Sequence, residues 1–414
     1  MRLDSHNFSP AVLGKIVRAA GRSRSFQEAA DGLADLAEVA ISGRQTGRIA
    51  HEIGEELRRA REQQVEAFQA DRLRPEVAVA PKLAVVEIDG GRLQTRAEDQ
   101  GRGVHDPAWR EDKFAHLMTM TCPRQDHDPH PELPRCFTEK KSVVELVQGL
   151  TSHGALADVV DATAVEPIPL AVFEPGEEVA EPPRWQPEPV VRTCVASTAA
   201  SETFGPMAAA EATRRNFYAA EKQAFVGDGG AWIWTLHRTF FPTFEPIVDF
   251  LHVSTYIYLA AKATGAVPEA VWERYLRWAR ACWQGRVAEV LDELRPLLQG
   301  MTPPAEGEEL KSTDPYAVVS RVIGYLENNQ CRMNYAQYRH QGLPITSSLV
   351  EALVKQFNHR VKGTEKFWNE SQAETILQLR AAQLSEDDRL TKHLKTRPVS
   401  PLRRYESRKR RKAG

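Results

Sequence analysis

The sequence has few cysteines and no apolar segment of membrane-spanning length. Its 414 residues include five cysteines, an odd and widely scattered number, which argues against a disulfide framework and favours reduced thiols. No apolar run approaches the roughly 20 residues that cross a bilayer, and the opening residues MRLDSHNFSP lack the apolar core of a signal peptide. We therefore expect a cytoplasmic protein with no membrane partner.

The sequence also has no Cys/His set with the regular spacing of a zinc-binding motif. Within CPRQDHDPHPELPRCF, two cysteines and two histidines form a possible zinc-ligand set: Cys122, His127, His130 and Cys136. Their spacing is irregular and prolines interrupt the segment, so a plain loop is the favoured interpretation.

The charge is nearly balanced, at a formal −2, but its distribution is uneven. The segment LADVVDATAVEPIPLAVFEPGEEVAEPPRWQPEP is acidic and rich in proline, and we treat about 155–190 as an insertion without an assigned chemical role. The tail HLKTRPVSPLRRYESRKRRKAG is strongly basic, a composition typical of disordered arms and of phosphate-binding segments. We predict a basic disordered tail over 386–414.

Residues 10 to about 72 have the apolar periodicity of helices, and residues 1–75 are predicted to form a helical domain. In LADLAEVAISGRQTGRIAHEIGEEL, a helix, a short turn at Ser42-Gly43 and a second helix follow each other, which is the layout of a DNA-binding helix-turn-helix. The second helix would present four polar residues to DNA: Arg44, Gln45, Thr46 and Arg48. An antiparallel helix pair without this function has the same pattern, so both interpretations remain open.

Strand patterns begin near residue 80 and end close to acidic residues. PKLAVVEIDGGRLQTR predicts a buried strand that breaks at Gly90-Gly91, with Glu87 and Asp89 on one face; an Asp-Gly hairpin turn is the alternative. DKFAHLMTMT and PVVRTCVAST predict two more strands. AFVG predicts a strand followed by Asp228, and EPIVDF predicts one followed by Asp249 and His252.

A long helical region follows these strands. Residues 255–345 are predicted to be wholly helical and separate Asp228 from Glu351 by roughly 120 residues, far more than an ordinary connection. We therefore predict an α/β protein with a mixed sheet over 80–250, an all-helical insertion domain over 251–345 and a closing helix within 346–385.

The segment SSLVEALVKQFNHRVKGTEKFW places one glutamate at the head of a cationic helix. Glu351, Lys355, His359 and Lys362 are spaced so that they share one helical face. A capping box with Ser348 or an ion pair with Lys355 would explain Glu351 without a function. Alternatively, Glu351 joins carboxylates at the strand ends to bind Mg²⁺ or Mn²⁺, which prefer such hard oxygen ligands and support phosphoryl transfer.

Three segments resemble conserved blocks of bacterial insertion-sequence transposases of the ISKra type: VEIDGGRLQTR, FVGDGGAWIWTLHRTFFPTFEPIVDFLH and GLPITSSLVEALVKQFNHRVKGTEKFW. These transposases belong to the DDE group and have an RNase H-like catalytic domain; the resemblance extends over about residues 10–385. It implies that Asp89, Asp228 and Glu351 are the catalytic, metal-binding triad. DFLH is similar to an Asp-x-x-His signature, which implies an auxiliary Asp249–His252 pair, while Asp249 remains an alternative second metal ligand.

The resemblance also implies an activity and partners. The activity is two-metal-ion cleavage of DNA at terminal inverted repeats, followed by strand transfer into target DNA by a nucleoid-associated homo-oligomer. Four cationic residues near the closing helix would bind DNA phosphates: Lys355, Arg360, Lys362 and Lys366. Two alternatives stay open, a catalytically silent repressor derived from a transposase and an RNase H-like nuclease without strand transfer.

Overall fold

The computed structural model describes residues 8–96, 108–123, 125–153, 185–265, 267–303, 311–363 and 366–397. Most of the acidic insertion, at 154–184, lies outside the described residues. The predicted disorder over 386–414 is wrong for the first part of that tail, because Arg389–Thr396 form a helix whose Leu390 and Leu394 are buried in the protein. The rest of the tail, from 398 onward, lies outside the described residues. Within the described ranges, no helix is long and apolar enough to cross a membrane.

A five-stranded mixed sheet forms the centre of the fold. Its strands are β1 (Leu83–Thr95), β2 (Ala108–Met120), β3 (Pro189–Ser197), β4 (Lys222–Gly227) and β5 (Glu245–Val248). The spatial order is β3-β2-β1-β4-β5, with β1 antiparallel to β2 and parallel to β4. The predicted α/β class with a mixed sheet is confirmed, and the sheet is compatible with an RNase H-like core.

The predicted break in β1 at Gly90-Gly91 is wrong. β1 continues to Thr95 and pairs without interruption with β2 from Ala108 onward. Long-range pairing therefore overrides the local turn preference of Asp-Gly-Gly. Gly91 lies opposite Asp112, and a Cβ atom at Gly91 would lie only 2.6 Å from Asp112 Oδ1, so the strand pair needs a glycine here.

This close approach makes the β1–β2 pair sensitive to any side chain at Gly91. We expect Gly91→Ala to lower the free energy of unfolding by about 1–3 kcal/mol, because overpacking forces buried neighbours to shift. Gly90→Ala is the matched control, since its Cβ would meet no atom closer than 3.7 Å. Urea unfolding of both variants tests this, and equal stabilities would contradict the predicted crowding at Gly91.

Helices cover the sheet and occur in three groups. The first group is α1 (Pro10–Arg22), α2 (Phe26–Ala37) and α3 (Gly43–Gln69). The middle group is α4 (Lys140–His153), α5 (Ser201–Arg214), α6 (Ala231–Phe240), α7 (Phe250–Ala263), α8 (Pro268–Trp283), α9 (Val287–Gln299), α10 (Pro315–Asn329) and α11 (Tyr335–His340). The last group is α12 (Ser348–Val361), α13 (Glu370–Leu384) and α14 (Arg389–Thr396).

Two apolar cores lie on opposite faces of the sheet. Alternate residues of β1 and β2 point to opposite sides, so Ile88 and Leu117 pack with α5 to α10, whereas Leu93 and Phe114 pack with α1, α3, α12 and α13. The N-terminal helices thus share a core with α12 and α13, and α7 to α10 share a core with the sheet. Neither group of helices therefore has a core that is separate from the sheet.

Candidate functional site

Three aspartates lie side by side, each directly after a paired residue of one of three adjacent parallel strands. Ile88 of β1 pairs with Gly227 of β4, and Gly227 pairs with Val248 of β5. The next residues along the chain are Asp89, Asp228 and Asp249. Because neighbouring strands lie about 4.8 Å apart, this register brings three carboxyl-bearing residues, distant in sequence, to one edge of the sheet.

Glu87 of β1 and Asp249, which follows β5, hold the first turn of α12. Glu87 Oε2 accepts a hydrogen bond from the N–H of Val350 at 2.8 Å, and Asp249 Oδ1 accepts one from the N–H of Ser347 at 2.9 Å. The amides at a helix N-terminus carry partial positive charge and favour carboxylate partners. These contacts fix α12 above the sheet edge and bring Glu351 to the aspartates. We call Asp89, Asp228 and Glu351 the carboxylate centre.

Asp228 is held by a tight glycine turn. Its Oδ1 accepts a hydrogen bond from the N–H of Gly230 at 2.7 Å, and its carbonyl accepts one from the Tyr325 hydroxyl at 2.9 Å. Gly229 has a φ of +104°, and a Cβ atom there would lie 2.5 Å from the Tyr325 ring. The carboxylate is half-buried, and within the described ranges its Oδ2 makes no hydrogen bond. Asp228 therefore retains an oxygen for a ligand.

Asp249 is fully buried, and both of its carboxylate oxygens are occupied. Oδ1 accepts hydrogen bonds from the N–H groups of Leu251 and Ser347, at 3.1 and 2.9 Å. Oδ2 accepts hydrogen bonds from the N–H and the Nδ1 of His252, at 3.2 and 2.6 Å. Asp249 thus caps α7 and connects it to α12. This geometry favours a positioning function for Asp249 and leaves the accessible oxygen to Asp228.

His252 places a positive charge beside the carboxylates. Burial alone would lower the pKa of this imidazole, but its hydrogen bond to Asp249 and the charges of Asp249, Asp228 and Asp89 outweigh burial and raise the pKa to about 9. Both the backbone N–H and the Nδ1 of His252 contact Asp249 Oδ2, which fits the auxiliary pair implied by the Asp-x-x-His signature.

Glu351 has an unused oxygen in this site. Ligand atoms of Asp249, His252 and Glu351 lie within 4.8 Å of one another, a spacing that fits a metal ion. This set differs from the predicted triad of Asp89, Asp228 and Glu351. Within it, Asp249 and His252 are already hydrogen-bonded to each other. Oε1 of Glu351 is buried and has no hydrogen-bond partner among the described residues. Such an orphaned oxygen fits a divalent cation, which favours hard oxygen ligands.

Electrostatic repulsion within the carboxylate centre also favours a cation. Burial, and then the charge of Asp228, raises the pKa of Asp89 to about 7. Burial, and then the charge of Asp249, raises the pKa of Glu351. Because clustered carboxylates disfavour each other's charge, a divalent cation among them would lower both pKa values. The residues present therefore fit Mg²⁺ or Mn²⁺.

The two structural explanations of Glu351 are wrong. Ser347, not Ser348, is the N-cap residue of α12, and its side chain makes no capping hydrogen bond. Glu87 satisfies the N–H of Val350 from the sheet instead. In the described structure, no salt bridge joins Glu351 to Lys355, which is exposed. Among the described residues Glu351 thus makes neither of these two contacts, although the charge of Lys355 partly opposes the rise of its pKa.

The predicted helix-turn-helix residues differ in their exposure. Arg44 and Arg48 are exposed near the start of α3, and Gln45 is half-buried. Thr46 is fully buried, and its hydroxyl donates to the Ser42 carbonyl at 3.0 Å. The prediction that Thr46 contacts DNA is therefore corrected, because the helix turns this side chain into the core.

Of the predicted phosphate-binding residues, Arg360 is structural. It is only 2% exposed, and its guanidinium donates to the carbonyls of Ala20 and Arg24 at 2.8 and 3.2 Å. The guanidinium carbon also lies 4.5 Å from the Phe26 ring centre and 5.2 Å from that of Trp368. Arg360 therefore joins α12 to the N-terminal helices and is not available to DNA.

The remaining cationic residues are at least partly accessible. Lys355 is exposed and Lys362 is half-buried. Lys366 is half-buried and donates to the Arg360 carbonyl at 3.0 Å. Burial, and then the charge of Arg360, lowers the pKa of Lys366 to about 8. Lys355 and Lys362 are therefore the stronger candidates for phosphate contacts.

We expect Arg360→Ala to lower the free energy of unfolding by about 2–4 kcal/mol, because it leaves buried carbonyls unpaired and removes packing against two aromatic rings. Lys355→Ala, on the exposed side of the same helix, should change stability by less than about 0.5 kcal/mol. Urea unfolding of both variants is the measurement. A stable Arg360→Ala protein would show that this residue does not hold the helices together.

Sequence reasoning placed Glu87 on the face of Asp89 but gave it no function. Glu87 is fully buried, and burial raises its pKa well above the usual range. A glutamate within an apolar strand signals a specific partner, because an unpaired buried carboxylate is costly. The alternation of β1 thus pointed to Glu87, but its partner on α12 required the tertiary structure.

The zinc interpretation is not supported. Cys122 Sγ faces the Gln341 carbonyl at 3.6 Å, and His130 Nδ1 faces the Glu132 carbonyl at 2.6 Å. In the part of the chain that the structure describes, the grouping of potential metal ligands is the one that contains Glu351.

Comparison with known proteins does not assign this chain to a family. No protein-family model matches the sequence, and no curated protein matches it significantly. The functional assignment therefore depends on the three sequence segments and on the geometry of the carboxylate centre.

Proposed function

We propose that this protein is a metal-dependent DNA transposase of the DDE group, which binds terminal inverted repeats and catalyses DNA cleavage and strand transfer. The observation that carries this proposal is that Asp89 and Asp228 lie directly after paired residues of adjacent parallel strands, where the charges of Asp228 and Glu351 act on Asp89, and that Glu351 Oε1 is buried and unpaired among the described residues. Three carboxylates without cysteine ligands suit Mg²⁺ or Mn²⁺ better than softer metals.

In this proposal, Asp89, Asp228 and Glu351 hold the divalent ions. When bound, the ions would activate the attacking oxygen and stabilise the leaving oxygen of a phosphodiester. Glu87 and Asp249 keep α12 against the sheet through the N–H groups of Val350 and Ser347. This support matters because small displacements of reacting groups strongly reduce the rate.

The proposal also assigns functions to the helical groups. The sheet with α12 and α13 would be an RNase H-like catalytic domain, α7 to α11 its helical insertion and α1 to α3 the DNA-binding part. Arg44 and Arg48 are exposed on α3, Lys355 is exposed on α12, and Lys362, which follows α12, is half-buried. Such cations contact backbone phosphates and position DNA without reading its sequence. Joining two transposon ends calls for a homo-oligomer on DNA.

Cleavage of a labelled duplex that carries the element's own terminal inverted repeat tests this function. We expect the protein to cut the duplex in Mg²⁺ or Mn²⁺ and to stop cutting when EDTA removes the metal. Specific binding without cleavage in either metal would contradict the enzyme and support a silent repressor. Cleavage with EDTA present would exclude the metal-dependent centre.

A further inference from the structure

A cationic groove lies where α1 and α13 meet α12, the helix that carries Glu351. It has a volume of about 490 Å³. Six polar residues line it: Arg22, Lys355, Gln356, His359, Arg380 and Gln383. No carboxylate is among its lining residues, as far as the chain is described. A groove with cations on three helices and no acidic side chain attracts anions.

The exposed basic side chains of this groove have no hydrogen-bond or salt-bridge partner among the described residues. Arg22, Lys355 and His359 are exposed, and within the described ranges none of these side chains makes a salt bridge or hydrogen bond. Elsewhere on the surface, arginines commonly pair with acidic residues, as Arg295 pairs with Glu327. The charges that line the groove thus remain available to a ligand.

A buried arginine forms the floor of the groove. Arg380 is 7% exposed, and its guanidinium donates to Gln383 Oε1 at 3.1 Å and to the Gln356 carbonyl at 3.2 Å. Its Nε has no partner in the described structure. Gln383 is fixed in turn, because it donates to the Val17 carbonyl of α1 at 2.7 Å. The groove is therefore built from ordered polar groups, and its buried charge is incompletely satisfied.

The direction of α12 links the groove to the site. Lys355 and His359 follow Glu351 by four and eight residues, which corresponds to about 6 and 12 Å along a helix. One strand of duplex DNA rises about 3.4 Å per nucleotide. A DNA strand that follows α12 would thus pass Lys355 about two nucleotides, and His359 about four nucleotides, from a phosphodiester held at Glu351.

We infer that this groove binds backbone phosphates of the DNA strand that enters the carboxylate centre, about two to four nucleotides from the cleaved bond. Arg22 and Lys355 contact these phosphates from opposite sides, and Arg380 supplies positive charge from below. The groove would set the position of the strand and contribute no sequence preference. The inference rests on the proposed function, because the strand is defined by the bond that is cut.

The test compares two double variants with the wild-type protein. Arg22→Ala/Lys355→Ala removes two groove cations, whereas Lys262→Ala/Arg280→Ala removes an exposed lysine and an exposed arginine from α7 and α8. Binding of the terminal-repeat duplex is measured by fluorescence anisotropy over a range of salt concentrations, without divalent ions. We expect the salt dependence of log Kd to fall by about two for the groove variant and to stay unchanged for the control.

Single methylphosphonate substitutions locate the contacts on the DNA. Neutral linkages about two to four nucleotides from the cleaved bond should weaken binding to the wild-type protein but not to the groove variant, because the cations that contact them are absent. An unchanged salt dependence for the groove variant would overturn the inference while leaving the proposed function intact. Failure of the wild-type protein to bind any duplex would overturn both.

Discussion

Asp89→Asn, Asp228→Asn and Glu351→Gln are each expected to reduce DNA cleavage by about a thousandfold or more, while the protein still binds the terminal-repeat duplex. Each substitution keeps the size of the side chain and removes the negative charge that holds a divalent cation. Stability should not fall, because the pKa values of Asp89 and Glu351 are raised and their charges repel other carboxylates.

Glu202→Gln is the matched control, since Glu202 is exposed on α5 and belongs to no described salt bridge. It should cleave at the wild-type rate. Cleavage assays under single-turnover conditions, with binding measured in parallel, separate loss of chemistry from loss of DNA affinity. Full activity of any one triad variant would remove that residue from the carboxylate centre.

Asp249→Ala is expected to lower the free energy of unfolding by about 3–5 kcal/mol, because it removes several buried hydrogen bonds and leaves the His252 cation without its partner. Asp228→Ala should cost less than about 1 kcal/mol, since the Asp228 side chain accepts one hydrogen bond, from Gly230, among the described residues. Urea unfolding of both variants measures the difference.

Substitutions of Asp228 and Asp249 also test which of these two aspartates is the second metal ligand. If Asp249→Asn folds normally and abolishes cleavage while Asp228→Asn remains active, Asp249 is the ligand and its hydrogen bonds rearrange around the metal. The reverse pattern, an inactive Asp228→Asn protein and an unstable Asp249→Ala protein, is the one that this geometry predicts.

Local sequence patterns correctly predicted the features that depend on residues within one segment. Alternation within LAVVEID predicted that Glu87 and Asp89 share a face, and the three- and four-residue spacing of the last segment predicted the helix with Glu351 near its start. Asp228 and Asp249 were correctly placed after short strands because glycines and a helix pattern follow them.

Tertiary contacts decided the features that the sequence patterns missed. The strand continues through Gly90-Gly91 because β2 pairs with it, although the same residues favour a turn in isolation. Thr46 and Arg360 looked like surface residues on cationic helices, yet both are buried. Arg360 packs against Ala20 and Phe26 of the N-terminal helices. The Thr46 hydroxyl donates to the Ser42 carbonyl. The register of β1, β4 and β5 cannot be obtained from any one segment, since it depends on the strand order.

A joining assay tests the transposase function most directly. It contains the wild-type protein, Mg²⁺, a terminal-repeat duplex with an exposed 3′-hydroxyl end and a supercoiled target plasmid. If Asp89, Asp228 and Glu351 form a transposase centre, the labelled duplex should become covalently joined to the plasmid, and EDTA should prevent this. Cleavage of the duplex without any joined product would support a nuclease instead. Specific binding with neither cleavage nor joining would contradict an active centre.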